Sequence, residues 1–337
     1  MSVPGVLHVH QFDLKSLECP VTWGTGYAPL EACEDMLDKL CLAPTPWAEV
    51  VERYRLAWSF WQNSRLDQAR TLLVECFMRL LPDPVFHRHC GIIADHRPAL
   101  RLVLDSMWAA MSITTLTDNK QVAYLREFIG DVKPLSQLGD DQRAAVCAVR
   151  GRLASGGGAE DRKWFREAIR LSPGEGEWRH LLGWVLQDAR NYKGTPSAEE
   201  ISLLRAAYQH RKNPDTVLRL ARCVAACGPS QRAEAEALVA EALRLFPNHP
   251  RALTNAANTL YMMRDPGPQT AREALELYQR ALVAAGERAF IHMKLGSLWS
   301  HYGDKKKARR HYKAAARLNP SACNQFATAI SDYHAGL

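Results

Sequence analysis

AFIHMKLGSLWSHYGDKKKARRHYKAAARLNPSA, residues 289–322, is the stretch that decides the fold. Leu295-Gly296 stands in the middle of a first apolar-periodic run, with Trp299 three residues after the glycine and Gly303 where the run must turn. Ala308, Tyr312 and Ala315 follow at the spacing of a second helix, and Pro320 ends it. A residue without a side chain at the centre of one helix lets a second helix cross closely, and large residues at fixed offsets fill the gaps beside the crossing. The segment therefore reads as two antiparallel helices joined by a short turn.

The offsets are those of a tetratricopeptide-type helix pair, W-x2-L-G-x2-Y then A-x3-F then P, with His292 in the place of the leading Trp. A second copy lies at about 50–83, with Leu56-Ala57, Phe60, Ser64, Ala69, Leu73 and Cys76 at the same offsets and Pro82 one residue late. A third, at 214–249, carries Leu220-Ala221, Val224, Gly228, Ala235, Val239, Ala242 and Pro247, with Pro229-Ser230 added in its turn. A fourth, at 251–286, shows Ala274, Tyr278 and Ala281 after a turn lengthened by residues 265–268. Between 141 and 214 the pairs are less regular: Phe165, Ala168 and Pro173 close one, and Leu182-Gly183 opens the next. Its second helix is predicted to start at Ser197, an N-cap with Glu200 three residues on.

Residues 84–140 have helical periodicity but match the repeat poorly, and no segment alternates with period two. The expected fold is all-α, a superhelix of stacked antiparallel helix pairs. Its expected parts are an extended or partly ordered lead at 1–25, an N-terminal helical and repeat region at 26–140 and a C-terminal repeat array with a capping helix at 141–337. Ala322 to Ala335 reads as the capping helix, with Phe326, Ile330 and Tyr333 on its apolar face; left uncovered, that face permits an oligomer.

The chain has 337 residues with a formal charge of +7, a mildly basic balance that permits an anionic partner. Its nine cysteines are irregularly spaced, the start carries no secretory signal, and no apolar run reaches the roughly 18 residues a membrane span requires. Reduced thiols, a cytoplasmic location and no membrane contact are expected. His87, His89, Cys90 and His96 are metal-ligand types without the paired spacing of a zinc site, so no metal is expected. No phosphate loop, nucleophile elbow or H-E-x-x-H run is present, so the chain reads as a binding protein without a cofactor, not an enzyme.

From about 120 to 320 the order of features resembles the interferon-induced tetratricopeptide-repeat family of vertebrate antiviral proteins. The carriers are Arg150-Gly-Arg-Leu before Trp164-Phe-Arg-Glu-Ala-Ile-Arg-Leu-Ser-Pro173, then Glu177-Trp178 and Leu182-Gly183 with a long insertion before Leu203-Leu-Arg-Ala-Ala207. Asn213-Pro214, the run Ala233 to Ala242, Ala256-Ala257 and the run Ala274 to Leu282 follow in the family's order. The resemblance implies an innate-immune cytoplasmic protein that holds the 5′ end of single-stranded RNA in a basic channel. It puts Arg150 on a channel lysine and Lys294 on a polar channel position. It also puts Asp188 and Thr254 where the family has arginines, and an acidic residue at a phosphate contact is repulsive.

The first helices of successive pairs are expected to line the concave face. Counting from the Leu-Gly position places Tyr54, Trp58, Trp61, His180, Trp184, Gln187, Arg222 and His301 there beside Arg150 and Lys294. Aromatic residues in such a groove stack on bases for about 1–3 kcal/mol each. The same groove suits a protein partner, either an extended peptide or a helix, and that scaffold reading is the alternative. Lys306, Arg310, Lys313 and Arg317 fall on one helix face opposite Ala308, Tyr312 and Ala315, so they are expected to point outward.

Overall fold

The computed structural model describes residues 17–81, 91–113, 115, 119–154, 159–191, 194–263 and 268–320. Most of the lead, His87, His89, Cys90 and the 322–335 capping helix lie outside the described residues. Among the described residues there is no strand, and sixteen α-helices follow one another. They are α1 (Pro20–Trp23), α2 (Leu30–Asp38), α3 (Pro46–Gln62), α4 (Leu66–Leu80), α5 (Gly91–Ile113) and α6 (Asn119–Asp131). Next come α7 (Asp140–Leu153), α8 (Ala159–Leu171), α9 (Gly176–Ala189), α10 (Ala198–His210) and α11 (Pro214–Ala226). The last are α12 (Arg232–Leu245), α13 (Pro250–Met263), α14 (Pro268–Ala285), α15 (Ala289–His301) and α16 (Lys305–Leu318).

Consecutive helices pair: α3 with α4, α7 with α8, α11 with α12, α13 with α14 and α15 with α16. The all-α repeat fold expected from the offsets is the fold observed. One close approach falls at the expected Gly296, and a second falls at Gly151, which the offsets did not single out. A methyl group added to Gly296 would stand 2.7 Å from Tyr312 Cε1, and one on Gly151 would stand 3.1 Å from the Phe165 ring. Gly303 turns the chain at φ +74°, and Ser64 makes the equivalent turn in the first copy at φ +60°. Helix starts follow capping chemistry. Ser197 Oγ accepts from the Glu200 amide at 3.1 Å, and Asn213 Oδ1 accepts from Asp215 and Thr216 ahead of Pro214.

The chain divides into two compact units. One comprises residues 1–28 and 46–185. Its fully buried large side chains include Trp47, Tyr54, Phe60, Phe165 and Trp178, with Trp47 and Trp178 edge to face at 5.4 Å. The irregular helix α5 carries Pro98 in its interior, and Gln142 of α7 mends the break. Its amide donates to Asp95 O and accepts from Ala99 N, filling the rung that a straight helix would close directly.

The other unit comprises residues 29–45 and 186–337. Its core runs through Leu204, Leu218, Leu253, Tyr278, Ile291 and Leu295. First helices α11 and α13 pack side by side, with α12 and α14 behind them. The early segment α2 and the 3-10 turn Leu40–Leu42 belong to this unit. The turn packs on α13, Asp38 accepts from the Phe290 amide at 3.4 Å, and Arg288 approaches Asp38 at 3.9 Å. No described helix is long and apolar enough to cross a membrane.

Candidate functional site

In the first unit, α3 turns its ring-bearing face to the chain that precedes it. Trp58 is 5% exposed, and its indole N–H is shared between the carbonyls of Thr25 and Gly26 at 3.2 and 3.0 Å. Ser59 Oγ accepts from Ala28 N, and Asn63 donates to Ala28 O, so one helix face clamps residues 25–28. Trp61 lies against Trp58 at 5.1 Å and stays half-buried. Tyr54, placed on the concave face by counting offsets, is instead fully buried with its hydroxyl on Leu100 O at 2.8 Å. Desolvation pushes the Tyr54 hydroxyl well above its usual pKa, and no part of it can reach a ligand.

Helix α7 carries Arg150 and Arg152. Arg150 is half-buried, with its guanidinium 3.9 Å from the Trp164 ring and 5.5 Å from the Trp23 ring. A planar cation between two indoles is held by cation–π attraction, which leaves its N–H edge available for other acceptors. It has no carboxylate at ion-pair distance among the described residues. Two residues on, Arg152 stacks on Trp184 at 4.2 Å and pairs with Glu52. Burial would raise the Glu52 carboxyl, but Arg152 and Arg55 outweigh it and hold the pKa low. His180 is buried beside Trp184, with ring centres 6.4 Å apart.

In the second unit a charge network fills the first-helix layer. Asp215, with no exposed surface, accepts from Arg219 Nε at 2.5 Å, from Arg251 Nε at 2.9 Å and from Asn255 at 3.0 Å. Arg219 also donates to Gln187 Oε1 at 2.9 Å and lies 3.7 Å from Asp188. Asp188 thus balances a buried arginine of its own chain. Gln187 is fully buried, bonded to Arg219 at both ends of its amide. Thr254, also buried, donates to Pro250 O.

Arg222 is half-buried and lines a cavity of about 350 Å³ at the C-terminal ends of α9, α11 and α13, together with Arg190, Arg232, Met262 and Met263. Arg190 is committed to Glu200, which is 1% exposed and also receives the Cys223 thiol at 2.8 Å. Burial and that carboxylate push the Cys223 thiol up to about 12. Lys294 on α15 is exposed and has no carboxylate at ion-pair distance among the described residues. Lost hydration, then the charge of nearby Lys39, push its pKa down. His301 is exposed, edge-on to Tyr261 and Tyr302.

The structure therefore gathers Trp58 with Trp61, and His180 with Trp184, in one unit, and Gln187 with the Asp215 network in the other. Counting repeat offsets missed Trp23, Trp164 and Arg152, and missed Arg219 and Arg251. Two signals for them were present: Arg152 sits two residues from Arg150, and Asp215-x3-Arg219 is an i,i+4 charge pair. Among the described residues no group of three or more His, Cys, Asp or Glu could hold a metal ion, and His96 instead meets Glu175 at 3.4 Å.

No protein-family model matches the sequence, and no curated protein matches it. Solved structures do. Human IFIT1 as a dimer with m7Gppp-AAAA superposes with a TM-score of 0.65 at 17% identity, over 91% of this chain and 69% of that one. The human IFIT1 dimer with PPP-AAAA gives 0.64 at 17% identity, over 91% and 68%. A monomeric IFIT1 mutant with Gppp-AAAA gives 0.66 at 16% identity, over 91% and 70%. At these identities the likeness is one of fold.

Proposed function

We propose that this protein is a non-catalytic RNA-binding repeat protein that holds single-stranded RNA on its first-helix faces, in the cytoplasmic, antiviral setting its sequence resemblance implies. The observation that carries the reading is Lys294. It is an exposed lysine with no carboxylate at ion-pair distance among the described residues, and the charge of Lys39 acts on it from the same unit. Arg152, Arg190, Arg219 and Arg251 on or beside these faces are paired with Glu52, Glu200, Asp188 or Asp215. Lys294 and Arg150 are not, and a phosphate is the partner that would complete them. In the first unit Arg150 meets phosphate while Trp61 and Trp184 offer faces to bases. In the second, Lys294 and Arg222 meet phosphate, and His301 is carried on the same helix as Lys294.

The IFIT1 structures of the same fold carry triphosphate-ended or cap-ended RNA. Here Asp188 and Thr254 stand where that family has arginines, so the strand is held by its backbone more than by a 5′ triphosphate. The scaffold alternative has less room, because residues 29–45 of the chain itself already pack on α13 and against the start of α15.

The test is titration of the full chain with single-stranded RNA bearing a 5′ triphosphate, a cap or a hydroxyl, at two salt concentrations. Salt-sensitive binding that Arg150→Glu and Lys294→Glu each weaken is expected. Binding indifferent to salt and to both substitutions would return the protein to the scaffold reading.

A further inference from the structure

Helix α16 carries a charge pattern that the first-helix faces do not use. Its 14 residues include Lys305, Lys306, Lys307, Arg309, Arg310, Lys313 and Arg317, and no Asp or Glu. All seven are exposed. The acid before the helix, Asp304, is taken up by the Lys307 amide at 3.0 Å and the Lys307 ammonium at 3.1 Å. Lys306, Arg309, Arg310, Lys313 and Arg317 have no ion-pair partner among the described residues.

Other outer helices are built differently. On α8, Glu167 pairs with Arg170, and Glu160 with Lys163. Between α10 and α12, Arg205 pairs with Glu234, and Lys212, just after α10, pairs with Glu241. Helix α14 mixes Arg272 and Arg280 with Glu273 and Glu276.

The arrangement on α16 works against the helix itself. Lys305–Arg309, Lys306–Arg310, Arg309–Lys313 and Lys313–Arg317 are like-charge i,i+4 pairs, and three lysines occupy the first turn, where the helix dipole favours acids. Solubility alone is served as well by mixed charges, as on α8, α12 and α14. A partner that supplies the missing negative charge explains what self-repulsion does not.

We infer that the outer face of α16 is a second RNA contact, a row of cations that grips the phosphate backbone without reading the strand's end or its bases. Lys306, Arg310, Lys313 and Arg317 lie in line along about 16 Å of helix at 1.5 Å per residue. They border two shallow depressions, one lined by Lys306, Arg309, Arg310 and Lys313, the other by Arg310, Lys313, Ala316 and Arg317. The row contains no aromatic or aliphatic anchor of the kind that carries protein–protein affinity. Nor does α16 keep an apolar face for a bilayer, since Ala308, Tyr312 and Ala315 are buried in the pair. A flexible polyanion is the partner whose recognition needs charge alone. The inference takes RNA as that polyanion from the reading above.

The experiment uses the full chain and two RNAs, one of about four nucleotides and one of about sixteen. In the variant Lys306→Gln/Arg310→Gln/Lys313→Gln/Arg317→Gln, the long RNA should bind at least tenfold more weakly. Four lost phosphate contacts should also lower the slope of log affinity against log salt by about 3. The short RNA should bind as before, and Lys306→Arg/Lys313→Arg should bind both as the wild type does. Wild-type affinity and slope for the long RNA in the quadruple variant would overturn the inference. So would a loss confined to phosphatidylserine vesicles or to polyglutamate. Arg150→Glu/Lys294→Glu separates the two proposals: if only the first-helix reading fails, that variant matches the wild type on short RNA while the quadruple variant still loses the long one.

Discussion

The Tyr312 ring lies so close over Gly296 that a single methyl group there would stand 2.7 Å from Cε1. The contact closes the last described helix pair, where Met293, Ala308 and Ala315 complete a small core with Trp299 beside it. Gly296→Ala should therefore destabilise the protein by about 1–3 kcal/mol, the usual cost of overpacking. Tyr312→Leu in the same chain should recover part of that loss. Urea unfolding of the two single variants and the double variant gives the coupling directly. Additive losses would mean the ring moves aside without cost.

Ser64 holds φ +60° where Gly303 holds +74° in the last pair. A left-handed conformation costs a residue with a Cβ about 1–2 kcal/mol, while glycine adds freedom to the unfolded chain. The first effect is the larger, so Ser64→Gly should raise the melting temperature by a few degrees in a calorimetric scan. A fall would mean that the hydroxyl supports the turn more than the strained backbone costs.

The Asp215 carboxylate serves two arginines and an asparagine with no access to water. Asp215→Ala would take from Arg219, 3% exposed, the carboxylate that its Nε meets at 2.5 Å, while Gln187 and the more distant Asp188 remain beside it. Removing one member of a buried pair costs about 3–5 kcal/mol, so the variant should unfold at a much lower urea concentration. Asp215→Leu/Arg219→Met, which removes both charges, should sit between that variant and the wild type. Equal stability of the single and double variants would show that Arg219 is reached by water.

Asp188 is the place where the chain departs most sharply from the family its sequence resembles. Asp188→Arg should strengthen binding of triphosphate-ended RNA, by adding a cation to the first-helix layer and removing the acid that screens Arg219. It should also lower stability slightly, since it removes the Asp188 carboxylate that lies 3.7 Å from the buried Arg219. Filter binding and thermal melts on one preparation report both effects. Unchanged RNA affinity would place the 5′ end elsewhere.

Acid should weaken the second unit through its histidines. His311 lies 2.9 Å from His292 between ring nitrogens, and burial, His292 and Arg310 together lower its pKa below 6.5. His249 is lowered by burial and then by Arg251. A histidine depressed in the folded state binds fewer protons there than in the unfolded chain. Its stabilising contribution is complete above pH 6.5 and is lost as the pH falls through the folded value. Melting temperature should therefore drop between pH 7 and 5, and His311→Gln should flatten that drop. An identical slope in the variant would remove His311 from the account.

The Leu-Gly, Ala and Tyr offsets made the pairs at 46–80 and 214–318 legible in sequence, because close crossings demand small residues at fixed places. The site was less legible. Helical periodicity assigns residues to a face but does not say what covers that face. Trp58 has the right phase for an open groove, yet its indole is held by the backbone of Thr25 and Gly26, in a segment without repeat character. Tyr54 has the right phase too, but α5 lies over it and takes its hydroxyl at Leu100. Asp188 read as a repulsive intruder because its partner Arg219 is 31 positions away and only the fold brings them together.

The early segment at 29–45 has a consequence for the order of assembly. Asp38 meets the amide of Phe290 across 252 positions of chain. That closure must wait until α15 has been synthesised, long after α2 has left the ribosome. The second unit thus completes itself around a piece made first, and its last step is a long-range contact of the kind that slows folding. Until that step Asp38 lacks its partners at Arg288 and Phe290, and a nascent chain stalled before α15 could dock the early segment only through the 3-10 turn on α13.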